Sequence, residues 1–137
     1  MSDPFPITVF HNPACGTSRN VVAMIEAAGY RPEVVDYLQA GWTAEQLSAL
    51  FTEAGLTPRT ALREKEAAAT VPALLDPATP DVAILAAMLT HPVLVNRPLV
   101  RTPRGTAMCR PSERVYGLLD RRPDRFVKED GEVVTLA

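Results

Sequence analysis

A chain of 137 residues, 47% of them hydrophobic and 22% charged, has enough apolar material to bury one core without metals or disulfides, which excludes a disordered chain. The formal charge of −2 gives no electrostatic reason to bind nucleic acid, and no apolar run reaches the roughly 20 residues of a membrane helix. Cys15 and Cys109 are too few for a disulfide framework and no run has the make-up of a secretory signal, so the expectation is one domain over 1–137 in the cytoplasm.

In chain order, Ile7-Thr8-Val9-Phe10 is a β-branched and aromatic run, predicted as a strand, that stops at the turn signal His11-Asn12-Pro13. Val21, Ile25 and Ala28 then recur at helical spacing with Gly29 as the stop, and Val34-Val35 predicts a second strand. A strand–helix–strand unit implies parallel strands with a right-handed crossover. Thr43 to Gln46 forms a capping box ahead of Leu47, Leu50, Phe51 and Ala54, and Gly55 closes that helix. Thr57-Pro58 predicts another short helix, and Asp81 a further helix carrying Ile84, Leu85, Met88 and Leu89 up to His91-Pro92. Val93-Leu94-Val95, then Leu99-Val100 after Pro98, and Thr106 to Cys109 predict a pair of strands joined by a tight turn at Pro103-Arg104-Gly105. Ser112 opens a last helix with Val115, Leu118 and Leu119 inward. The charged tail from Asp120 reads as irregular apart from a short strand at Val133-Val134.

Chemistry concentrates at Cys15, where a strand turns into a helix. Free N–H groups and the dipole at a helix start favour an anion, so a thiol there loses its proton more readily than the ordinary value of about 8.5 allows. His11, at the strand end, could add positive charge, and Gly16-Thr17-Ser18 offer small residues and N–H groups for an oxyanion. The polar turn around Cys15 argues against a merely buried cysteine. A dithiol exchanger needs a second thiol three positions on, where this chain has Ser18, so an outside thiol must resolve any oxidised Cys15. Cys109 reads as a buried strand residue.

His11-Asn12-Pro13-Ala14-Cys15-Gly16-Thr17-Ser18-Arg19-Asn20 resembles the active-site signature of the glutaredoxin-dependent arsenate reductases. His91-Pro92-x-Leu94-x-Asn96-Arg97-Pro98 and Cys109-Arg110-Pro111-Ser112-Glu113 resemble two further hallmarks of that family, in the same order and at similar intervals. The resemblance implies an α/β, thioredoxin-like fold with a helical insertion between the N-terminal strand–helix–strand unit and a C-terminal hairpin plus helix. It implies Cys15 as nucleophile, Arg63, Arg97 and Arg110 as ligands of arsenate, and His11 and Ser18 as residues that keep the cysteine ionised. It implies glutathione as co-substrate, glutaredoxin as partner, no bound cofactor, and a cis bond between Arg97 and Pro98. Neither two cysteines nor two histidines make a zinc set. The segment Ala67-Ala68-Ala69-Thr70-Val71-Pro72 departs from the family, whose members carry a proline and aromatic segment there.

Physically, guanidinium groups suit the task, because a thiolate attacking arsenate meets like-charge repulsion that they offset. Three other readings compete. A thiol-transfer protein of the same superfamily would not need convergent arginines. A transcription-regulating module of that superfamily would carry Cys-x-x-Cys, which Ser18 removes. A phosphatase would need Cys-x5-Arg, and position 21 is Val21.

Overall fold

The computed structural model describes residues 5–135, and the single domain expected over 1–137 extends beyond them at both ends. The chain divides into two compact units, residues 1–36 with 97–137, and residues 37–96.

In the first unit, β1 (Thr8–His11) leads into α1 (Gly16–Ala27), and β2 (Glu33–Asp36) returns parallel to β1, pairing Val9 with Val34. Gly29 (φ 95°) makes the reversal after α1 in a conformation that favours glycine. β3 (Leu99–Thr102) runs antiparallel to β1, and β4 (Gly105–Met108) closes a hairpin with β3, giving the order β2-β1-β3-β4. Val21, Met24 and Ile25 on α1 are fully buried. They belong to one core with Val9 and Val100 from the sheet and with Val115, Tyr116, Leu118 and Leu119 from the segment after β4. That last segment, Ser112–Leu118, is a 3-10 helix; its expected inward residues hold. The tail is more ordered than its charge suggests, since β5 (Arg125–Val127) and β6 (Val133–Thr135) pair antiparallel around Asp130-Gly131. Asp130-Gly131, with Gly131 at φ 92°, supplies the turn, a hairpin signal that the charged composition of the tail masks.

The second unit is helical: α2 (Tyr37–Ala40), α3 (Ala44–Ala54), α4 (Glu64–Thr70) and α5 (Asp81–Thr90), with 3-10 turns at Pro72–Leu75 and Pro92–Leu94. The strand expected from Val93 thus starts only at Leu99, because Pro92, with its fixed φ, opens a helical turn instead. The capping box forms as its spacing requires, with Gln46 N–H donating to the Thr43 hydroxyl at 3.1 Å, and Gly55 (φ 69°) ends α3. The helix expected at Pro58 does not form. Thr57 and Thr60 bond reciprocally through side chain and backbone, a local alternative that holds the segment as a turn. Arg63 is therefore the N-cap of α4 and not an interior helical residue. Its N–H donates to Leu94 O at 2.8 Å, and Leu62 bridges to Val95. The alanine run after it supplies α4 itself, since alanine is the best helix former. Among the described residues no helix is long and apolar enough to cross a membrane.

Ile25 is fully buried in the core beneath α1. Ile25→Ala is expected to cost roughly 2–4 kcal/mol, read as a lower midpoint in urea denaturation. An unchanged midpoint would mean that α1 is not anchored by this core.

Candidate active site

The turn that presents Cys15 is built by Asn12. Its side-chain oxygen accepts from Ala14 N–H at 2.9 Å and its carbonyl accepts from Cys15 N–H at 3.0 Å, which folds the chain back between β1 and α1. Cys15 then takes extended backbone angles as the N-cap of α1, and its carbonyl accepts the first helical bond from Arg19 N–H at 3.0 Å. The sulfur thus stands where the N–H groups of the first turn lack helical partners.

Strand register delivers the arginines. Leu99 pairs with Met108 in the β3–β4 hairpin, and continuing that register by two residues sets Arg97 across from Arg110. Phe10 pairs with Leu99, so the end of β1 lies against the start of β3, two residues after Arg97. Arg110 Nη1 donates to the Arg97 carbonyl at 3.1 Å and lies 3.8 Å from the Cys15 sulfur. The peptide bond before Pro98 is cis, as the resemblance implied, and so is the bond between Arg110 and Pro111.

The result is an open cavity of about 380 Å³ lined by Ala14, Cys15, Gly16, Thr17, Asn20, Arg97, Arg110, Glu129 and Asp130. Cys15 is only 7% exposed, so the polar turn does not keep it out in solvent as its sequence suggested. It is buried, but at a cavity wall. Burial pushes the Cys15 pKa up, and this is the largest single influence. The Ser18 amide, the Arg97 charge and the Ser18 hydroxyl together outweigh it and bring the value down to about 7. Hydrogen bonding from Ser18 at the helix start and the charge of Arg97 thus share the stabilisation of the thiolate. Ser18 itself is fully buried, and its hydroxyl accepts from Asn12 N–H at 3.4 Å, which ties the turn to the helix.

The setting of His11 disfavours the positive charge expected of it. Burial lowers its pKa, Asp36 opposes that and Arg19 adds to it; its Nδ1 is buried without a hydrogen-bond partner. Arg63 belongs to the second unit, half-buried at the start of α4. Cys109 is fully buried, and burial pushes its thiol up to about 12. Glu129 and Asp130 were not among the expected site residues, because their place in the cavity wall depends on the β5–β6 hairpin. Among the described residues no cluster of three histidine, cysteine or acidic side chains could hold a metal.

With the Cys15 pKa at about 7, the thiolate fraction rises with pH, so alkylation by iodoacetamide is expected to be about tenfold slower at pH 6 than at pH 8. Ser18→Ala is expected to shift that profile upward in pH. Cys109 is expected to stay unmodified until the protein unfolds. A flat profile, or Cys109 reacting in the folded protein, would contradict these assignments.

The model of the ArsC family matches residues 10–118. The "Arsenate reductase ArsI2" of Synechocystis sp. is 54% identical over 129 residues, covering 93% of this chain and 92% of that protein. An arsenate reductase of Escherichia coli K12 is 43% identical over 93% of this chain and 92% of its own length. Among solved structures, an arsenate reductase from Vibrio cholerae superposes with a TM-score of 0.79 at 34% identity, over 85% of this chain and 100% of that one. The fold is α/β and thioredoxin-like, as the motifs led one to expect. With its family model spanning most of the sequence and relatives matched over nearly their whole length, the chain belongs to the ArsC family.

Proposed function

We propose that this protein is an arsenate reductase in which Cys15 attacks arsenic, with electrons supplied by glutathione and a glutaredoxin-type thiol. The observation that carries the reading is a thiol with a pKa of about 7 in the wall of a cavity that also holds two arginines. A disulfide substrate has no need of such cations, whereas arsenate carries one to two negative charges and gains more at oxygen as the thiolate attacks.

In this reading the Cys15 thiolate adds to arsenic(V), and one arsenate hydroxyl, once protonated, leaves as water. Arg97 and Arg110 hold the remaining oxygens through charge-assisted bonds. The glutathione thiol then displaces a second hydroxyl as water, giving arsenic bound to both sulfurs. A glutaredoxin thiol attacks the glutathione sulfur and forms a mixed disulfide. The electron pair of the broken sulfur–arsenic bond stays on arsenic, which becomes trivalent. Water releases arsenite and returns Cys15. No bound cofactor enters these steps, and an external thiol is required because Ser18 occupies the place of a resolving cysteine and Cys109 is held protonated by burial. Arg63 enters the reading through the family resemblance, as a third ligand of the oxyanion. A reducing compartment, the cytoplasm, suits both thiol donors.

The test is arsenate-dependent NADPH oxidation with glutathione, glutathione reductase and glutaredoxin supplied. Cys15→Ser is expected to abolish it and Cys109→Ser to leave most of it; equal loss from both would point to an internal disulfide cycle. Arg97→Lys keeps the charge but loses the planar fork, and is expected to raise KM for arsenate about tenfold or more, by analogy with the strength of charged hydrogen bonds. Unchanged kinetics would remove Arg97 from the site. Folded wild-type protein without activity would overturn the assignment of arsenate.

A further inference from the structure

The two acidic residues of the cavity wall, Glu129 and Asp130, have no part in that mechanism. Glu129 and Asp130 lie in the loop between β5 and β6, beyond residue 118 where the match to the family model stops. A carboxylate in a cavity built for an oxyanion works against its binding, so the position calls for a physical reason.

Glu129 is fixed on two sides. Its carboxylate accepts from Arg19 Nε at 2.9 Å and from Arg19 Nη2 at 3.0 Å, a two-pronged pairing that sets geometry as well as charge. Its own N–H donates to the Asn20 side-chain oxygen at 3.0 Å. Arg19 in turn donates from Nη1 to the Pro13 carbonyl at 2.8 Å, inside the turn that carries Cys15. The links run from the hairpin to α1 and from α1 to the cysteine turn. Asp130 accepts from Glu132 N–H at 2.9 Å and shapes the same loop.

We propose that Glu129 is a positioning residue of the cysteine site: through Arg19 it holds the Pro13–Cys15 turn, and its charge offsets the excess of arginine around the sulfur. The inference rests on the reading of Cys15 as the reacting thiolate. Every charged element around the sulfur enters the balance. His11 at the end of β1 has its pKa lowered by burial, with Asp36 at the end of β2 acting in the opposite sense. Arg19 on α1 is close enough for the thiolate to act on it. Arg97 and Arg110 flank the hairpin of β3 and β4, and Glu129 with Asp130 supplies the negative side. Balance matters because nucleophilicity falls as a thiol becomes more acidic, and the best attacking thiol has a pKa near the ambient pH. Arg97 acts directly on the Cys15 charge and Arg110 Nη1 lies 3.8 Å from the sulfur, so in this proposal the carboxylate keeps the thiol from becoming more acidic still.

Alkylation of Cys15 by iodoacetamide as a function of pH, in the full chain, tests this without arsenate, so failure of the arsenate reading leaves the experiment intact. Glu129→Gln keeps an acceptor for Arg19 but removes the charge. Its Cys15 profile is expected to move down by roughly half a pH unit, as for a unit charge at intermediate distance. The plateau rate at high pH is then expected to fall about 1.5- to 2-fold. Glu129→Asp is expected to restore the profile, and Arg19→Gln to move it upward. Glu132→Gln removes the same charge from the hairpin outside the cavity wall and is expected to leave the profile in place. A Glu129→Gln profile and plateau like wild type, whether or not the melting temperature falls, would overturn the proposal by reducing Glu129 to a structural clasp. An equal shift from Glu132→Gln would overturn it by showing a general field.

Discussion

A sulfur that is to be negative while only 7% exposed is the constraint on which the rest of this site depends. Desolvation alone would raise its pKa, as it does for Cys109, which reaches about 12 with the same chemical group. What separates the two thiols is the polarity of the neighbours. Cys15 has the first turn of α1, the buried Ser18 and the guanidinium of Arg97 to act on its charge, and Cys109 has chiefly the apolar core. Burial and ionisation are compatible at Cys15 only because fixed dipoles and cations replace the water that is lost.

That replacement has structural requirements, and the first unit meets them in layers. The apolar face of α1 packs Val21, Met24 and Ile25 into the core, which fixes where the helix starts and hence where its free N–H groups point. Asn12 shapes the turn, and Ser18, fully buried, ties turn to helix. The register of β1, β3 and β4 sets two arginines beside it, one anchored by the carbonyl of the other. Each layer uses ordinary stabilising interactions, and a thiol whose pKa lies at about 7 is the product of their coincidence. The β5–β6 hairpin adds a negative component, so the site is a balanced electrostatic arrangement and not simply a positive pocket.

Much of the local structure was legible in the chain. The capping box at Thr43, the glycine stops at Gly29 and Gly55, and the β3–β4 hairpin follow from short-range rules of hydrogen bonding and backbone freedom that act within a few residues. Errors fell where local alternatives compete. At Thr57–Thr60 reciprocal side-chain bonds replace the expected helix, and the segment from Ser112 winds as a 3-10 and not an α-helix while keeping its inward residues. The tail looked irregular because charged residues dominate its composition, although Asp130-Gly131 carried the hairpin signal.

The sequence by itself determined the chemistry on offer: one cysteine at a strand-to-helix junction, no resolving thiol at Ser18, and a set of arginines before prolines. These are matters of residue identity and spacing, which local geometry converts directly into a thiol at a helix start. Only the tertiary structure decided which charges that thiol feels. Burial makes His11 harder to protonate, Arg97 and Arg110 meet through strand register, and Glu129 reaches the cavity from a hairpin more than a hundred residues along the chain. Electrostatic energy depends on distance through space and on access to water, and neither quantity is written in the order of the residues.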